Sequence, residues 1–210
     1  PHFAPNVWPE TIDGFKEAYA EYFDAMSGLA RSLMRIFALS LKLDEYFFDD
    51  KIDKEISMLR TLSYPNMGTN IEEGQMRAGA HTDYGSLTIV KPDNSPGGLQ
   101  VCNQNGDWVS VPYAEDSFAV NIGDLMMRWT NDQWISPLHR VVNPPLEAST
   151  AHPRQSIVFF HQPNYDAMIE CLPSCLGEDG KATYPAVSSG DHLKSKFVKQ
   201  TTFGGTQEVA

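Results

Sequence analysis

From about Ser57 onward the chain is a succession of short apolar runs broken by Gly, Pro and Asn, and none is long enough for an ordinary helix. The runs are Met58–Tyr64, Gly85–Lys91, Leu99–Cys102, Trp108–Val111, Phe118–Ile122, His139–Val142 and Gln155–Gln162. Turn signals separate them, at Asn94-Ser95-Pro96-Gly97-Gly98, Asn105-Gly106-Asp107 and Gly123-Asp124. Short strands at this spacing predict an antiparallel sandwich or barrel.

The first part of the chain has a different period. Trp8-Pro9-Glu10-Thr11 reads as a helix entry, with Pro9 in the first turn. Apolar residues then recur at Phe15, Tyr19, Tyr22, Met26, Leu29, Leu33, Phe37 and Leu41, which is helical spacing sustained to about Leu43. Asp44–Asp50 reads as a short second helix or turn, and Asp191–Thr201 as a last short helix. The expected organisation is a helical scaffold over 1–56 and a β core with a C-terminal helix over 57–210, in one structural domain. A chain of 210 residues with 41% hydrophobic content can bury one such core.

The formal net charge of −11 argues against nucleic acid or an anionic membrane as a main partner. No apolar run approaches membrane-spanning length, and no signal peptide is visible. Cys102, Cys171 and Cys175 are few and irregularly spaced, so a reducing, cytoplasmic setting is expected. Cys171 and Cys175 are spaced for one helix face, but two thiols alone do not make a zinc site. The chain opens on Pro1, which suggests a piece of something longer.

Candidate chemistry begins at Ala80-His81-Thr82-Asp83-Tyr84-Gly85. His81 and Asp83 are two apart at the mouth of an apolar run. On an extended segment they share a face and can point at one centre. His139, at the start of its own run, can meet them if a later strand returns beside an earlier one. Two histidines and a carboxylate on one side of a metal leave positions open, as in non-haem iron(II) sites. Taken singly, His81-x-Asp83 also fits a surface or capping pair, and His139 a hydrogen-bonded structural histidine. Arg154 and Ser156, again two apart on a strand, can clamp a carboxylate; a strand-end ion pair is the bland alternative.

In their order and spacing, His81-Thr82-Asp83, Gly98-Leu99-Gln100-Val101, Trp108-Val109-Ser110-Val111-Pro112, Val120-Asn121-Ile122-Gly123-Asp124, Leu138-His139-Arg140-Val141 and Arg154-Gln155-Ser156 resemble the iron(II)- and 2-oxoglutarate-dependent oxygenases. The similar subgroup includes isopenicillin N synthase and the plant flavonoid and gibberellin oxidases, and Pro5-Asn6-Val7-Trp8-Pro9 also fits it. The resemblance implies a mainly β protein with flanking helices, a double-stranded β-helix or jelly roll. It implies iron held by His81, Asp83 and His139, and the far carboxylate of 2-oxoglutarate held by Arg154 and Ser156. Tyr64, in Leu62-Ser63-Tyr64-Pro65, matches a tyrosine that faces cosubstrate or substrate. The implied cofactors are Fe(II), 2-oxoglutarate and O2, with ascorbate as an optional addition. The implied reaction turns 2-oxoglutarate into succinate while a small organic molecule is hydroxylated or desaturated. An iron oxidase that does without 2-oxoglutarate keeps the same Arg-x-Ser pair and stays open, as does a non-catalytic jelly-roll binding protein.

Two departures from the family pattern stand out. An N-terminal segment that usually walls the substrate pocket is not seen, and the stretch from His139 to Arg154, with Pro144-Pro145 and 147–152, is longer than expected. His152 reads as a loop histidine. Trp129, Phe160 and Tyr84 are candidates for cavity walls, with ordinary core packing as the alternative.

Overall fold

The computed structural model describes residues 4–65, 74–95, 98–144 and 153–201. His2, Pro145, the 147–152 run with His152, and Pro96-Gly97 of the expected turn lie outside these residues.

Helix α1 runs Phe15–Ser40 and buries Met26, Ala30, Met34 and Ala38, one residue per turn along a single stripe. It starts later than the sequence suggested: 4–9 carry no regular structure and 10–14 form turns, so Pro9 is not in a helix. Trp8 instead folds back on the helix, its ring 5.6 Å from that of Tyr19. The Asp44–Asp50 stretch forms turns leading to a single 3-10 turn at Asp49–Lys51.

The strands are β1 (Met58–Tyr64), β2 (Met76–His81), β3 (Leu87–Pro92), β4 (Leu99–Cys102), β5 (Trp108–Ser110), β6 (Ala119–Ile122), β7 (His139–Val142) and β8 (Arg154–His161). A short pair follows, β9 (Met168–Ile169) with β10 (Val187–Ser188). Helix α2 is Asp124–Trp129 and helix α3 is Ser189–Thr201.

One sheet has the order β1-β8-β3-β6 and the other β2-β7-β4-β5, with all pairings antiparallel. Apart from the β4–β5 hairpin, successive strands from β1 to β8 alternate between the two sheets. That alternation is the jelly roll. Cross-strand partners share a face. Tyr64, Arg154, Ser156, Thr88 and Asn121 therefore project from the same side of the first sheet. The other side carries Leu59, Phe159, Ile89 and Leu87, all buried in the cluster that includes the α1 stripe. Phe23 of α1 meets Phe159 edge-on at 5.3 Å, and the Tyr19 hydroxyl donates to the Leu59 carbonyl at 2.6 Å.

Two elements near the site have no clear signature in the sequence. β2 contains Gly79 and two alanines but no β-branched residue, and it is held by pairing to β7 across two register shifts. α2 is too short for a periodic pattern. The run expected from Gly85 begins at Leu87, because 82–86 form the bend that carries Asp83. Cys171 and Cys175 do not share a helix; Pro173–Cys175 is a 3-10 turn. All three cysteines are free.

Phe159 is 1% exposed and sits between sheet and helix. Phe159→Ala should cost about 3–5 kcal/mol, read as a lower urea midpoint at unchanged m-value. A loss below about 1 kcal/mol would mean that α1 does not depend on this contact.

Candidate active site

His81 ends β2 and His139 opens β7, and the two are direct cross-strand partners. Their rings lie 4.3 Å apart, centroid to centroid. Asp83 stands just beyond the strand and brings Oδ1 to 3.6 Å from His139 Nε2. One ligand atom from each of His81, Asp83 and His139 falls within 4.8 Å of the others, the one such cluster among the described residues. Asp83 is buried, His139 half-buried and His81 exposed, so the centre opens toward solvent on the His81 side.

The backbone orients both imidazoles in the same way. His81 Nδ1 lies 2.8 Å from the Gly79 carbonyl and His139 Nδ1 lies 3.0 Å from the Pro137 carbonyl. A carbonyl only accepts, so each Nδ1 donates, and Nε2 is the nitrogen left on the side where a metal would be held. Asp83 is oriented from the opposite sheet. Asn121 Nδ2 donates to Asp83 Oδ2 at 2.8 Å, which leaves Oδ1 on the side of the histidines. Asn121 belongs to a motif visible in the sequence, but nothing there says where its side chain points; the β3–β6 register does.

The bend that carries Asp83 is clamped from below. The Asp124 N–H donates to the Asp83 carbonyl at 2.8 Å, and the Leu125 N–H to the Gly85 carbonyl at 2.9 Å. Gly123 donates to the Ser86 carbonyl at 2.9 Å. The otherwise unpaired N–H groups at the start of α2 thus bind the bend. A Cβ on Gly123 would meet the Gly85 carbonyl at 2.3 Å, and one on Gly85 would meet the His161 carbonyl at 2.1 Å. Only glycine permits this stacking. Gly123-Asp124, read from sequence as a turn, is therefore the start of the helix that seats the bend.

Ser86 Oγ lies 2.6 Å from His161 Nδ1, with both side chains fully buried. Burial, and then the positive charge of Arg31, push His161 down to about 4. It is neutral near pH 7, so the Glu55 carboxylate 3.6 Å from its Nε2 is not an ion-pair partner there. His192 on α3 is likewise held at about 4, by burial and then by Lys196.

Arg154 and Ser156 are buried at 5% and 4% exposure and face the gap between the sheets. Arg154 Nη1 is buried with no hydrogen-bond partner. Tyr64 is the cross-strand partner of Arg154, whose Cζ lies 5.1 Å from the phenol centroid. Gly98 has φ +130°, and a Cβ there would meet Arg154 Nε at 2.7 Å. The guanidinium thus has room only because position 98 lacks a side chain. Two cavities take side chains from both sheets. One of about 350 Å³ reaches His139 and Asn121, and one of about 380 Å³ reaches Arg154 and Asp93. Leu99, Val111 and Ala119 wall both.

Of the aromatic candidates, Trp129 is buried against Phe48, with rings 4.9 Å apart, and belongs to the core. Tyr84 lies under Phe197 and Lys196 of α3. Phe160 shares the inner face of the first sheet with Thr88 and Asn121.

An ordered pair of sheets with this constellation between them defines a non-haem metal oxygenase scaffold. Residues 55–163, just over half of the chain, match the family model described as the 2OG-Fe(II) oxygenase superfamily. The chain belongs to this superfamily. It is 35% identical over 198 residues to the 2-oxoglutarate-Fe(II) type oxidoreductase hxnY of Emericella nidulans, covering 92% of this chain and 55% of that protein. It is 35% identical over 209 residues to homoarginine-6-hydroxylase 2-ODD-C23.1 of Arabidopsis thaliana, covering 95% of this chain and 60% of that one. A full-length Neurospora crassa protein, solved in complex with alpha-KG, superposes with a TM-score of 0.86 at 38% identity, covering 94% of this chain and 62% of that chain. The chain thus spans little more than half the length of the curated relatives it matches.

The two buried neutral histidines set a pH dependence. The unfolded chain binds their protons near pH 6.5, whereas the folded chain binds them only near pH 4. Their contribution to stability is complete above pH 6.5 and is lost as pH falls toward 4. Urea midpoints should decline across that window, and His161→Gln should decline less steeply. Parallel slopes for the two proteins would show that His161 does not carry the effect.

Proposed function

We propose that this chain is the catalytic core of an Fe(II)- and 2-oxoglutarate-dependent oxygenase. It couples oxidative decarboxylation of 2-oxoglutarate to succinate with hydroxylation or desaturation of a small organic molecule. The observation that carries the reading is a pairing across two inter-sheet cavities that share the walls Leu99, Val111 and Ala119. One reaches His139 of the converging His81, Asp83 and His139 donors, and the other reaches Arg154, a buried guanidinium whose Nη1 lacks a partner among the described residues.

The donor set suits iron. Two neutral imidazoles and one carboxylate on a single face are the facial triad of non-haem iron(II) oxygenases. Iron bound there supplies oxygen activation and the redox chemistry. This chain's residues position and shield. His81 and His139 offer Nε2, and Asp83 offers Oδ1 while Asn121 occupies Oδ2. Arg154 and Ser156 hold the far carboxylate of 2-oxoglutarate by charge-assisted hydrogen bonds. Tyr64 packs beside that carboxylate under the Arg154 guanidinium. Val101, Ile122 and Ile135 give the cavity at His139 an apolar wall against which a substrate C–H bond can be placed.

The prime substrate is a small molecule. The Neurospora crassa protein has been solved with thymine in addition to alpha-KG, which supports that size class. The net charge of −11 speaks against nucleic acid. Among the described residues no helix is long and apolar enough to cross a membrane. Free Cys102, Cys171 and Cys175 support a reducing, cytoplasmic setting. Residues 57–210 form the oxygenase core on the helical segment 1–56, as one structural domain.

Two experiments test the assignment. Anaerobic titration of the iron(II)-loaded chain with 2-oxoglutarate should give a saturating visible charge-transfer band. Arg154→Ala should then need about a hundredfold more 2-oxoglutarate with iron affinity unchanged. An unchanged 2-oxoglutarate requirement would remove Arg154 from the cosubstrate site. Iron bound without any band would favour an oxidase that does not use 2-oxoglutarate. Separately, Asn121→Ala should weaken iron(II) binding by about 10–100-fold, measured by competition with a chelator, while circular dichroism stays native. Unaltered affinity would mean that Asp83 needs no help from Asn121.

A further inference from the structure

Beside Tyr64 stands a second guanidinium, one that the family pattern quoted above does not include. Arg77 lies on β2, four residues before His81, roughly 13 Å back along the strand from the metal cluster. Its Cζ stands 5.6 Å from the centroid of the Tyr64 ring, and the Cζ of Arg154 stands 5.1 Å from the same centroid. Arg154 comes from β8 of one sheet and Arg77 from β2 of the other. Two cations thus reach one phenol from opposite walls.

Among the described residues neither is fully satisfied. Arg77 Nη2 makes one long bond, 3.4 Å, to the Pro65 carbonyl. Arg77 Nε and Nη1 are buried without a hydrogen-bond partner, like Arg154 Nη1. Asp93 is the nearby carboxylate, but its oxygens accept from the Ser95 and Gln155 backbone N–H groups at 3.2 and 2.6 Å. Burial, and then repulsion by Arg154, push the Arg77 guanidinium below its ordinary range. Unpaired buried donors on two mutually repelling cations are expensive, and a shared anion removes both costs.

We propose that Arg77 is a second anchor for the far carboxylate of 2-oxoglutarate, shared with Arg154 and Ser156. This rests on the cosubstrate assignment above. Arg154 and Ser156 hold the carboxylate from the first sheet; Arg77 closes on it from the second. The consequence is selectivity. A 2-oxo acid with a distal carboxylate gains both guanidiniums, whereas one that merely chelates metal gains neither. A carboxylate on the prime substrate is the other anion that two guanidiniums can hold, and the test separates the two.

Wild type, Arg77→Gln and Arg77→Lys, each loaded with iron(II) under anaerobic conditions, are titrated with 2-oxoglutarate and with 2-oxobutyrate. The second acid keeps the chelating end and lacks the far carboxylate. Arg77→Gln should weaken 2-oxoglutarate binding about tenfold or more, Arg77→Lys should recover part of the loss, and 2-oxobutyrate should bind all three alike. A 2-oxoglutarate titration of Arg77→Gln that matches wild type overturns the proposal and leaves substrate binding as the use of Arg77. Equal weakening of both acids overturns it too, since the effect would then be structural. Wild type that binds iron and gives no band refutes the cosubstrate assignment itself, which is a different result from a wild-type band that Arg77→Gln leaves unmoved.

Discussion

The pairing of β2 with β7 is the constraint on which the rest of the site depends. His81 and His139 are far apart in sequence, yet each faces the other because the two strands meet in one register. A slip of one residue would send one imidazole to the opposite face of the sheet. β2 itself is poor in strand-forming residues, so its conformation is borrowed from its partner. The convergence of the two imidazoles is therefore no stronger than this ladder. That explains why each histidine is also tied to a carbonyl two residues before it, at Gly79 and Pro137. These bonds fix the ring rotation that the register leaves free.

Asp83 is governed differently. It sits past the end of β2, where no ladder restrains it, and the restraint comes from three directions. Asn121 reaches its carboxylate from β6, the Asp124 N–H of α2 holds its carbonyl, and the Gly85–Gly123 contact brings the two backbones together. All three originate in Val120-Asn121-Ile122-Gly123-Asp124. That short segment is better understood as the support of the carboxylate than as a strand end and a turn. Ser86 and the neutral His161 lock the far side of the same bend.

Much of this was legible in the sequence, for identifiable reasons. β1, β4 and β7 have the expected limits because short apolar runs end at Pro65, at Gly98 and Asn103, and at Asn143. His81, Asp83 and His139 stood out only in combination, through their order and spacing with the later Arg154-x-Ser156 pair, since each alone also fits an ordinary structural use. The spacing of two predicted that Arg154 and Ser156 share a face, and both are buried on the same side of the first sheet. What could not be read depends on the third dimension. β2 and α2 have no periodic signal, and the early helix entry at Pro9 failed because Trp8 found a better place on Tyr19 than in a first turn. Trp129, offered as a cavity wall, faces Phe48 instead. The roles of Asn121 and Arg77 rest on register and on contact across sheets, which one chain's linear order does not display.

The charge distribution links the architecture to the chemistry. The chain as a whole carries −11, yet the inner walls around Tyr64 present two guanidiniums and, among the described residues, only Asp93 as a nearby counter-charge. A dianionic cosubstrate approaching this molecule meets a repulsive exterior and an attractive interior. Low-dielectric walls focus that attraction. Two costs are carried in advance, the burial of unpaired N–H groups and the mutual repulsion of Arg77 and Arg154, and an anion shared between the two, as proposed, would relieve both. Gly98 makes the arrangement sterically possible, since any side chain there would strike Arg154. On the reading proposed above, preorganised positive charge at Arg154 and Arg77 and the three converging donors of His81, Asp83 and His139 would take the two ends of a short 2-oxo diacid. What remains free is the wall of Val101, Ile122 and Ile135. If the two ends are given to the cosubstrate as proposed, differences in substrate choice between this chain and its relatives are to be sought at that wall.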